Sequence, residues 1–317
     1  MTDALDRAPR RVLLDTDMGG DCDDAGALAI LHAMCDLGEA ALLGVVCCTS
    51  ARYTPGCIDA INHYYGRPEI PVGTIEVEGF MADTDRAYSR QVAETFPNKI
   101  RNRDNAERSV KLFRRVLAAQ PTASVDLVAI GPLPNLAHLM DSEPDEISSL
   151  NGRSLVAQKV RELTIMGGFF GESKPHPGAG EYNFANDAPA AAAVAKDWPT
   201  PILYCGWEIG NACPTGSKLT GHTPETNPVR KAYELYLHGP DRARPSFDLA
   251  TVYAAVRGCE PLWKESAPGR CIVDPKTGQN TWEDLPTGKD RYMIPLAETS
   301  VVAERIEELL IKAPARQ

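Results

Sequence analysis

The chain has 317 residues, of which 43% are hydrophobic, and its formal net charge is −10 at pH 7. This length and apolar content are sufficient for a large folded core, whereas the negative charge disfavours nucleic acids and anionic membranes as partners. No apolar run reaches the length of a transmembrane helix, so we expect no membrane partner.

The N-terminal segment and the cysteines both bear on the cellular compartment of the protein. Residues 1–11 are polar and lack the apolar segment of a secretory signal, so we expect a disordered lead-in. The nine cysteines are scattered and none belongs to a Cys-x-x-Cys pair, which disfavours a zinc site. Their odd number favours reduced thiols, and we expect a cytoplasmic protein.

An acidic stretch follows the first predicted strand. Residues 12–14 are apolar, and five carboxylates come between positions 15 and 24, with Gly19 and Gly20 among them. After Ala25 the apolar residues recur at helical spacing, which predicts a strand, a tight loop and a helix. In an open α/β sheet such a loop lies at the carboxyl end of a strand, where ligands bind.

Five acids in one short loop repel one another, and either a raised pKa on one of them or a bound cation relieves this repulsion. The available ligands are all oxygen atoms, without histidine or paired cysteine, so a hard cation fits best. The alternative is a solvated acidic turn in which Asp24 caps the helix. An EF-hand is excluded, because the twelfth residue counted from Asp15 or Asp17 is Gly26 or Leu28 instead of glutamate.

Strands and helices alternate along the rest of the chain. Continuous apolar runs, typical of parallel strands buried on both faces, predict strands at 41–49, 70–73, 125–130, 160–166 and 202–208. Helical periodicity predicts helices at 53–65, 106–119, 188–196, 231–238, 249–257 and 300–312, and residues 271–295 predict a hairpin. We therefore predict one α/β domain over residues 12–317, with a mostly parallel Rossmann-like open sheet and helices on both faces.

The acidic stretch resembles the opening of the inosine–uridine-preferring nucleoside hydrolase family. The family pattern Asp-x-Asp-x-Gly-x-Asp-Asp-Ala-x-Ala-Leu is similar to residues 15–19 followed by residues 23–28, with two additional residues between the two parts. Later segments resemble further family elements in the same order: 129–135, 165–168, 181–183 and 246–248. The resemblance covers residues 12–257 and implies the nucleoside hydrolase fold.

The resemblance also implies an activity, which is hydrolysis of the N-glycosidic bond of a ribonucleoside or related N-riboside. It implies calcium as the cofactor that positions the attacking water, and an aspartate as general base. The metal ligands that it implies are Asp17, Asp24, the main-chain carbonyl of Ile130, and Asp248. Asp23 corresponds to the general base, and Asp21 is its rival because the two additional residues blur the alignment. The substrate contacts expected are Asp21, Met166, Glu181, Asn183, Trp207 and Phe247.

The chain departs from the family pattern at the leaving group. Phe247 stands where the family often has a histidine that protonates the departing base. We therefore predict that aromatic stacking assists departure, with His176 as the reserve proton donor. The aromatic candidates are Phe247, Trp207, Phe169 and Tyr182.

Residues alone leave other interpretations open. Glu181 and Asn183 suit the polar start of a helix, Asp248 suits a helix N-cap, Met166 suits the core, and Trp207 suits a buried aromatic position. A non-catalytic, calcium-dependent ribose or nucleoside binding protein is the alternative function. A hydrolase of a specialised-metabolite riboside is the third. For the enzyme we expect a homodimer or homotetramer.

Overall fold

The structure is a computed structural model, and it describes residues 8–171 and 178–315. His176, the reserve proton donor, lies outside the described residues. The strands are β1 Arg10–Thr16, β2 Ala40–Cys47, β3 Val72–Thr74, β4 Glu107–Arg108, β5 Val125–Ala129, β6 Val160–Met166, β7 Ile202–Cys205, β8 Pro214–Thr215, β9 Arg244–Pro245, β10 Trp263–Glu265, β11 Gly269–Val273, β12 Asn280–Asp284 and β13 Arg291–Pro295.

The helices alternate with these strands over most of the chain. They are α1 Asp23–Asp36, α2 Thr54–Tyr64, α3 Ser89–Thr95, α4 Ser109–Ala118, α5 Pro134–Asp141, α6 Gly152–Lys159, α7 Tyr182–Asn186, α8 Ala188–Asp197, α9 Trp207–Asn211, α10 Leu219–His222, α11 Pro228–Tyr236, α12 Phe247–Arg257 and α13 Thr299–Leu310. Every one of them, within the ranges that the structure describes, is too short or too polar to cross a membrane.

Within the described residues, the main sheet has nine strands in the order β10-β13-β7-β6-β5-β1-β2-β3-β4. Its neighbouring strands run parallel, except that the edge strand β10 is antiparallel to β13. Strand β1 lies in the middle, between β2 and β5. The predicted mostly parallel open sheet is confirmed, and it places the loop after β1 at the centre of the carboxyl edge.

The sheet is buried on both faces, which explains the continuous apolar runs. Successive side chains of β1 point to opposite faces, so Val12 and Leu14 pack into one core and Leu13 into the other. Helices α1, α2, α12 and α13 contribute to the first core, and α4, α5, α6 and α8 to the second. The acidic loop is therefore held between two packed layers of helices.

The structure corrects several predicted boundaries. Strand β1 begins at Arg10, which pairs with Ala40, so Arg10 and Arg11 belong to the sheet and not to the predicted lead-in. The strand predicted at 202–208 ends at Cys205, because Gly206 has extended N-cap geometry and α9 starts with Trp207. The hairpin predicted over 271–295 is limited to β11 and β12, since β13 joins the main sheet beside β7.

Candidate active site

The loop of residues 17–22, hereafter the first loop, connects β1 to α1 in a fixed conformation. Gly19 has φ +121°, and a Cβ at this position would lie 2.6 Å from the Ser89 hydroxyl oxygen, so a glycine is required. The Tyr88 hydroxyl accepts a hydrogen bond from the Gly19 N–H (2.9 Å) and donates one to the Asp21 carbonyl (2.7 Å). These bonds set the direction in which the acidic side chains leave the loop.

Three carboxylates converge at the start of α1 and α12. Each of Asp23, Asp24 and Asp248, hereafter the acid cluster, offers an oxygen within 4.8 Å of the others. All three are buried, and Asp24 accepts a hydrogen bond from the Thr16 hydroxyl. Among the described residues, none of the three forms a salt bridge. Burial rules out a solvated acidic turn, and Asp24 lies within the first turn of α1, without an N-cap role.

Asp17 and the Ile130 carbonyl, the other predicted ligands, lie beside this cluster. Asp17 is buried, and a Cβ on Gly131 would lie 2.8 Å from its Oδ1, so the turn after β5 approaches Asp17 closely. The Ile130 carbonyl accepts a hydrogen bond from the Asn183 side-chain amide at 3.3 Å. Asp23, Asp24 and Asp248 each offer an oxygen within 4.8 Å of the others, and the predicted ligand Asp17 lines the same cavity.

Burial and mutual repulsion shift the pKa values of these acids upward. The pKa of Asp17 is raised to about 7, mainly by burial and to a smaller extent by the nearby charges of Asp21 and Glu181. Burial is also the main cause that raises the pKa of Asp23, Asp24 and Asp248 well above the usual range, followed by the charges of neighbouring aspartates. A cation bound among these oxygens would favour their charged forms.

The predicted ribose contacts come together on a second side of the cavity. Glu181 caps α7, accepting from the Asn183 N–H at 3.0 Å and the Phe184 N–H at 3.3 Å. The Asn183 amide donates to the Met166 carbonyl (3.1 Å) and sulfur (3.2 Å). Glu181 therefore starts a helix, in agreement with the alternative interpretation, and the same residue also lines the cavity. Burial raises the pKa of Glu181 to about 7.

Aromatic side chains form a third side, hereafter the aromatic wall, made of Trp207, Tyr236 and Phe247. The ring centroids of Trp207 and Phe247 are 6.2 Å apart. Phe169 contacts Trp207 at 6.1 Å but does not line the cavity, and Tyr182 stands 59% exposed at its edge.

Arg244 is a site residue that the sequence analysis missed. It lies on β9, and its Nε donates to the two carboxylate oxygens of Asp21 at 2.8 and 3.0 Å. Its guanidinium carbon lies 5.6 Å from the Tyr236 ring centroid and 5.9 Å from that of Phe247. The excess of acids in the first loop indicated that a counter-charge exists, but nothing in the sequence shows which residue supplies that charge.

Together these side chains enclose a cavity of about 290 Å³, near the lower end for small-molecule sites. Its lining consists of Asp17, Gly20, Asp21, Asp23, Asp24, Ile130, Met166, Glu181, Tyr182, Asn183, Trp207, Tyr236, Arg244, Phe247 and Asp248. Every predicted metal, base and substrate residue is in this set. A wider, more open cavity of about 640 Å³ adjoins it and shares Gly20 and Tyr182.

Solved structures with the same architecture include three that cover nearly the whole chain. The type III effector protein XopQ complexed with adenosine diphosphate ribose has a TM-score of 0.71 and 16% identity, covering 98% of this chain and 95% of the other. The plant nucleoside hydrolase PpNRh1 has a TM-score of 0.68 and 21% identity, covering 97% and 100%. The inosine-uridine preferring nucleoside hydrolase of Bacillus anthracis has a TM-score of 0.68 and 18% identity, covering 95% and 99%. At these identities the likeness establishes the fold.

Sequence comparison gives a more specific relationship. The non-specific ribonucleoside hydrolase RihC of Escherichia fergusonii is 33% identical over 138 residues, which are 43% of this chain and 41% of RihC. RihC of Escherichia coli strain SMS-3-5 is 32% identical over the same share. The alignment thus spans about two fifths of the length of these curated relatives. The family model for inosine-uridine preferring nucleoside hydrolases matches residues 12–286, from β1 beyond β12. With strands β2 to β12, the first loop and the acid cluster all inside that match, the chain belongs to the inosine-uridine preferring nucleoside hydrolase family.

Proposed function

We propose that this protein hydrolyses the N-glycosidic bond of a ribonucleoside or related N-riboside, yielding free base and ribose. The observation that carries the proposal is one cavity lined by three kinds of groups: buried carboxylates, a carboxyl–amide pair and an aromatic wall. Cleavage of an N-riboside needs a proton acceptor for water, hydrogen bonds to the sugar hydroxyls, and a surface for the base. Each kind of group supplies one of these.

The donor set fits calcium. The acid cluster and the neighbouring Asp17 and Ile130 carbonyl offer oxygen atoms alone, from four carboxylates and one main-chain group. The desolvated carboxylates need a counter-charge, and Arg244 does not supply it because its salt bridge is with Asp21. A divalent ion is therefore the natural counter-charge. When bound, the ion would supply Lewis acidity toward a water molecule. We propose Asp24 and Asp248 as ligands, with Asp17 and the Ile130 carbonyl completing the set.

The remaining residues have distinct roles in the proposal. Asp23 takes the proton from the attacking water, since it borders the proposed ligands and is held by the Asp248 N–H. Glu181 and Asn183 hold the sugar hydroxyls, because their polar groups line the cavity and are oriented by α7. Trp207 and Phe247 of the aromatic wall hold the base. Negative charge from the carboxylates stabilises the cationic character that the ribose develops.

The test is a panel of ribosides, with release of reducing sugar measured with and without a chelator. We expect turnover of at least one natural ribonucleoside, abolished by chelation and restored by calcium. Binding of ribose or nucleoside without release of sugar would support the non-catalytic binding protein instead. Turnover that persists after chelation would contradict the metal role.

A larger riboside is the second candidate substrate. The adjoining cavity of about 640 Å³ opens from the first past Gly20 and Tyr182, so a substituent on the ribose has room beyond the first cavity. XopQ, which shares the fold, was crystallised with adenosine diphosphate ribose. The panel therefore includes adenosine diphosphate ribose and a nucleoside 5′-monophosphate beside plain nucleosides. A preference for either over inosine and uridine would favour this candidate.

A further inference from the structure

The charge distribution around the cavity is strongly one-sided. Six acids line it, and Arg244 is the one lysine or arginine among the described lining residues. The guanidinium is half-buried, lies over the rings of Tyr236 and Phe247, and is anchored to Asp21 through Nε and Nη2. A single cation is therefore placed at the aromatic wall, where the base of the proposed substrate would lie.

The proposed reaction develops negative charge at that place. When the C1′–N bond breaks, its electron pair goes to the nitrogen of the base, while the water oxygen bonds to C1′ and the water proton goes to the Asp23 carboxylate. The base leaves as an anion and afterwards takes a proton from solvent or from the Asp23 carboxyl. A fixed cation near the departing nitrogen stabilises this transition state more than the ground state.

We propose that Arg244 is a catalytic residue that stabilises the departing base anion electrostatically, and that Asp21 is the positioning residue that holds its guanidinium. The proposal rests on the function proposed above. Arginine keeps its proton throughout, so its contribution is charge and hydrogen bonding rather than proton donation. The anchoring bonds to Asp21 use Nε and Nη2 and do not involve Nη1, and Arg244 lines the cavity.

The pair with Asp21 has a specific consequence for geometry. An arginine side chain has several rotatable bonds, and a bidentate carboxylate contact fixes its planar fork in one orientation. The Asp21 carbonyl is in turn held by the Tyr88 hydroxyl, so the anchor belongs to the rigid first loop. Asp21 belongs to the part of the first loop that has two additional residues, and it supports Arg244, which lies 223 positions later in the sequence.

The experiment compares Arg244→Gln with Arg257→Gln as a matched control. Arg257 is likewise part-buried, paired with Glu39 and placed over the Tyr253 ring, but it lies outside the cavity. For a natural nucleoside we expect kcat to fall on the order of 10²-fold in Arg244→Gln, with p-nitrophenyl riboside nearly unaffected because its leaving group is already stable. Arg244→Lys should recover part of the loss, and Arg257→Gln should behave as wild type.

A double-variant comparison tests the positioning role of Asp21. We expect Asp21→Asn to lower kcat for the nucleoside with little change in KM, and the double variant with Arg244→Gln to be no worse than Arg244→Gln alone. Additive losses, or an increase in KM for p-nitrophenyl riboside, would assign Asp21 to the sugar instead. Equal losses for both substrates in Arg244→Gln would overturn the role of Arg244.

A binding measurement separates this inference from the proposed function. Calorimetry at neutral pH compares 8-azahypoxanthine, whose acidic ring N–H makes it an anion, with hypoxanthine, which has nearly the same shape and is neutral. We expect the wild type to prefer the anion about tenfold, and Arg244→Gln to lose that preference while Arg257→Gln keeps it. No preference, or no binding of either base, would overturn the inference. Failure to hydrolyse any riboside would overturn the proposed function independently.

Discussion

The Asp248 main-chain N–H donates a hydrogen bond to Oδ2 of Asp23 over 3.2 Å, although 225 positions separate the two residues in the sequence. The bond joins the first turn of α1 to the first turn of α12, and each helix contributes acids to the cluster. Acids at a helix N-terminus are favoured by the helix dipole, which partly offsets their repulsion. The acid cluster therefore depends on the packing of α1 against α12.

The first prediction concerns the cation. Asp24→Ala and Asp248→Ala should each lose calcium binding and activity together, because each removes one of the carboxylates that can share the ion. Calorimetric titration with calcium and the riboside assay measure the two properties on the same sample. Asp141→Ala, at an exposed position outside the cavity, is the control for loss of a carboxylate. Full calcium occupancy in Asp24→Ala would contradict the assignment.

The second prediction separates the base from the ligands. Asp23→Asn should retain calcium and sugar binding but lose turnover on the order of 10²-fold or more, since the amide cannot accept the water proton. Asp17→Asn should weaken calcium binding instead. Because Asp23 lies close to Asp24 and Asp248, the experiment also tests whether Asp23 is itself a ligand. Loss of calcium in Asp23→Asn, with calcium retained in an inactive Asp17→Asn, would exchange the two roles.

The rivalry between Asp21 and Asp23 is decided by the same assay. Asp21 is paired with Arg244 at the edge of the cavity, whereas Asp23 is buried beside the other acids. We expect Asp21→Asn to be less impaired than Asp23→Asn with p-nitrophenyl riboside. An inactive Asp21→Asn beside an active Asp23→Asn would show that the alignment is displaced by the length of the insertion.

The third prediction concerns pH and stability in the absence of calcium. A carboxyl whose pKa is higher in the folded than in the unfolded state binds protons more tightly when folded. The free energy of unfolding contributed by Asp17 should therefore fall as pH rises from 3.8, its ordinary value, to about 7. Asp24 and Asp248, whose pKa values are raised in the same direction, should add to this loss. Calcium should reverse it, because the ion needs charged carboxylates.

Thermal unfolding with calcium and with chelator measures this effect across the same pH interval. The difference in Tm between the two conditions should increase with pH, and it should be much smaller in an Asp24→Asn, Asp248→Asn double variant. A difference in Tm that stays constant across the interval would show that the raised pKa values are not linked to calcium.

The sequence predicted the architecture because the sheet is buried on both faces. Residues 160–166 are predicted and observed as one strand, since a parallel strand between two helical layers has a continuous apolar run. The same pattern misplaced Trp207 and Glu208, because an apolar run does not show where a strand stops. Gly206, which takes an extended N-cap conformation before α9, was the local signal for that boundary.

Some residues of the site could be predicted from the sequence, and others could not. The acids of the first loop lie close together in the chain, so their repulsion could be inferred from spacing alone. Arg244 could not be assigned, since its contact with Asp21 depends on how β9 and the first loop meet in three dimensions. Tyr236 was missed for a similar reason, because one aromatic residue on a helix is more often part of the core.

The aromatic wall bears on the other assistance predicted for the leaving group, which is stacking on the base. Trp207 and Phe247 line the cavity at 6.2 Å from each other, and Tyr182 stands at its edge. Phe169 lies behind Trp207 and supports it without lining the cavity, so it is removed from the stacking candidates.

The last prediction tests stacking against proton donation. Phe247→Ala should lower kcat/KM for a natural nucleoside about tenfold, because it removes a ring that lines the cavity, is proposed to stack on the base and underlies Arg244. His176→Ala should change it little, and both variants should spare p-nitrophenyl riboside, which needs no proton on departure. Phe96→Ala, which removes a half-buried ring away from the cavity, is the control for loss of packing. A large loss in His176→Ala with Phe247→Ala nearly unaffected would make His176 the acid and remove stacking from the mechanism.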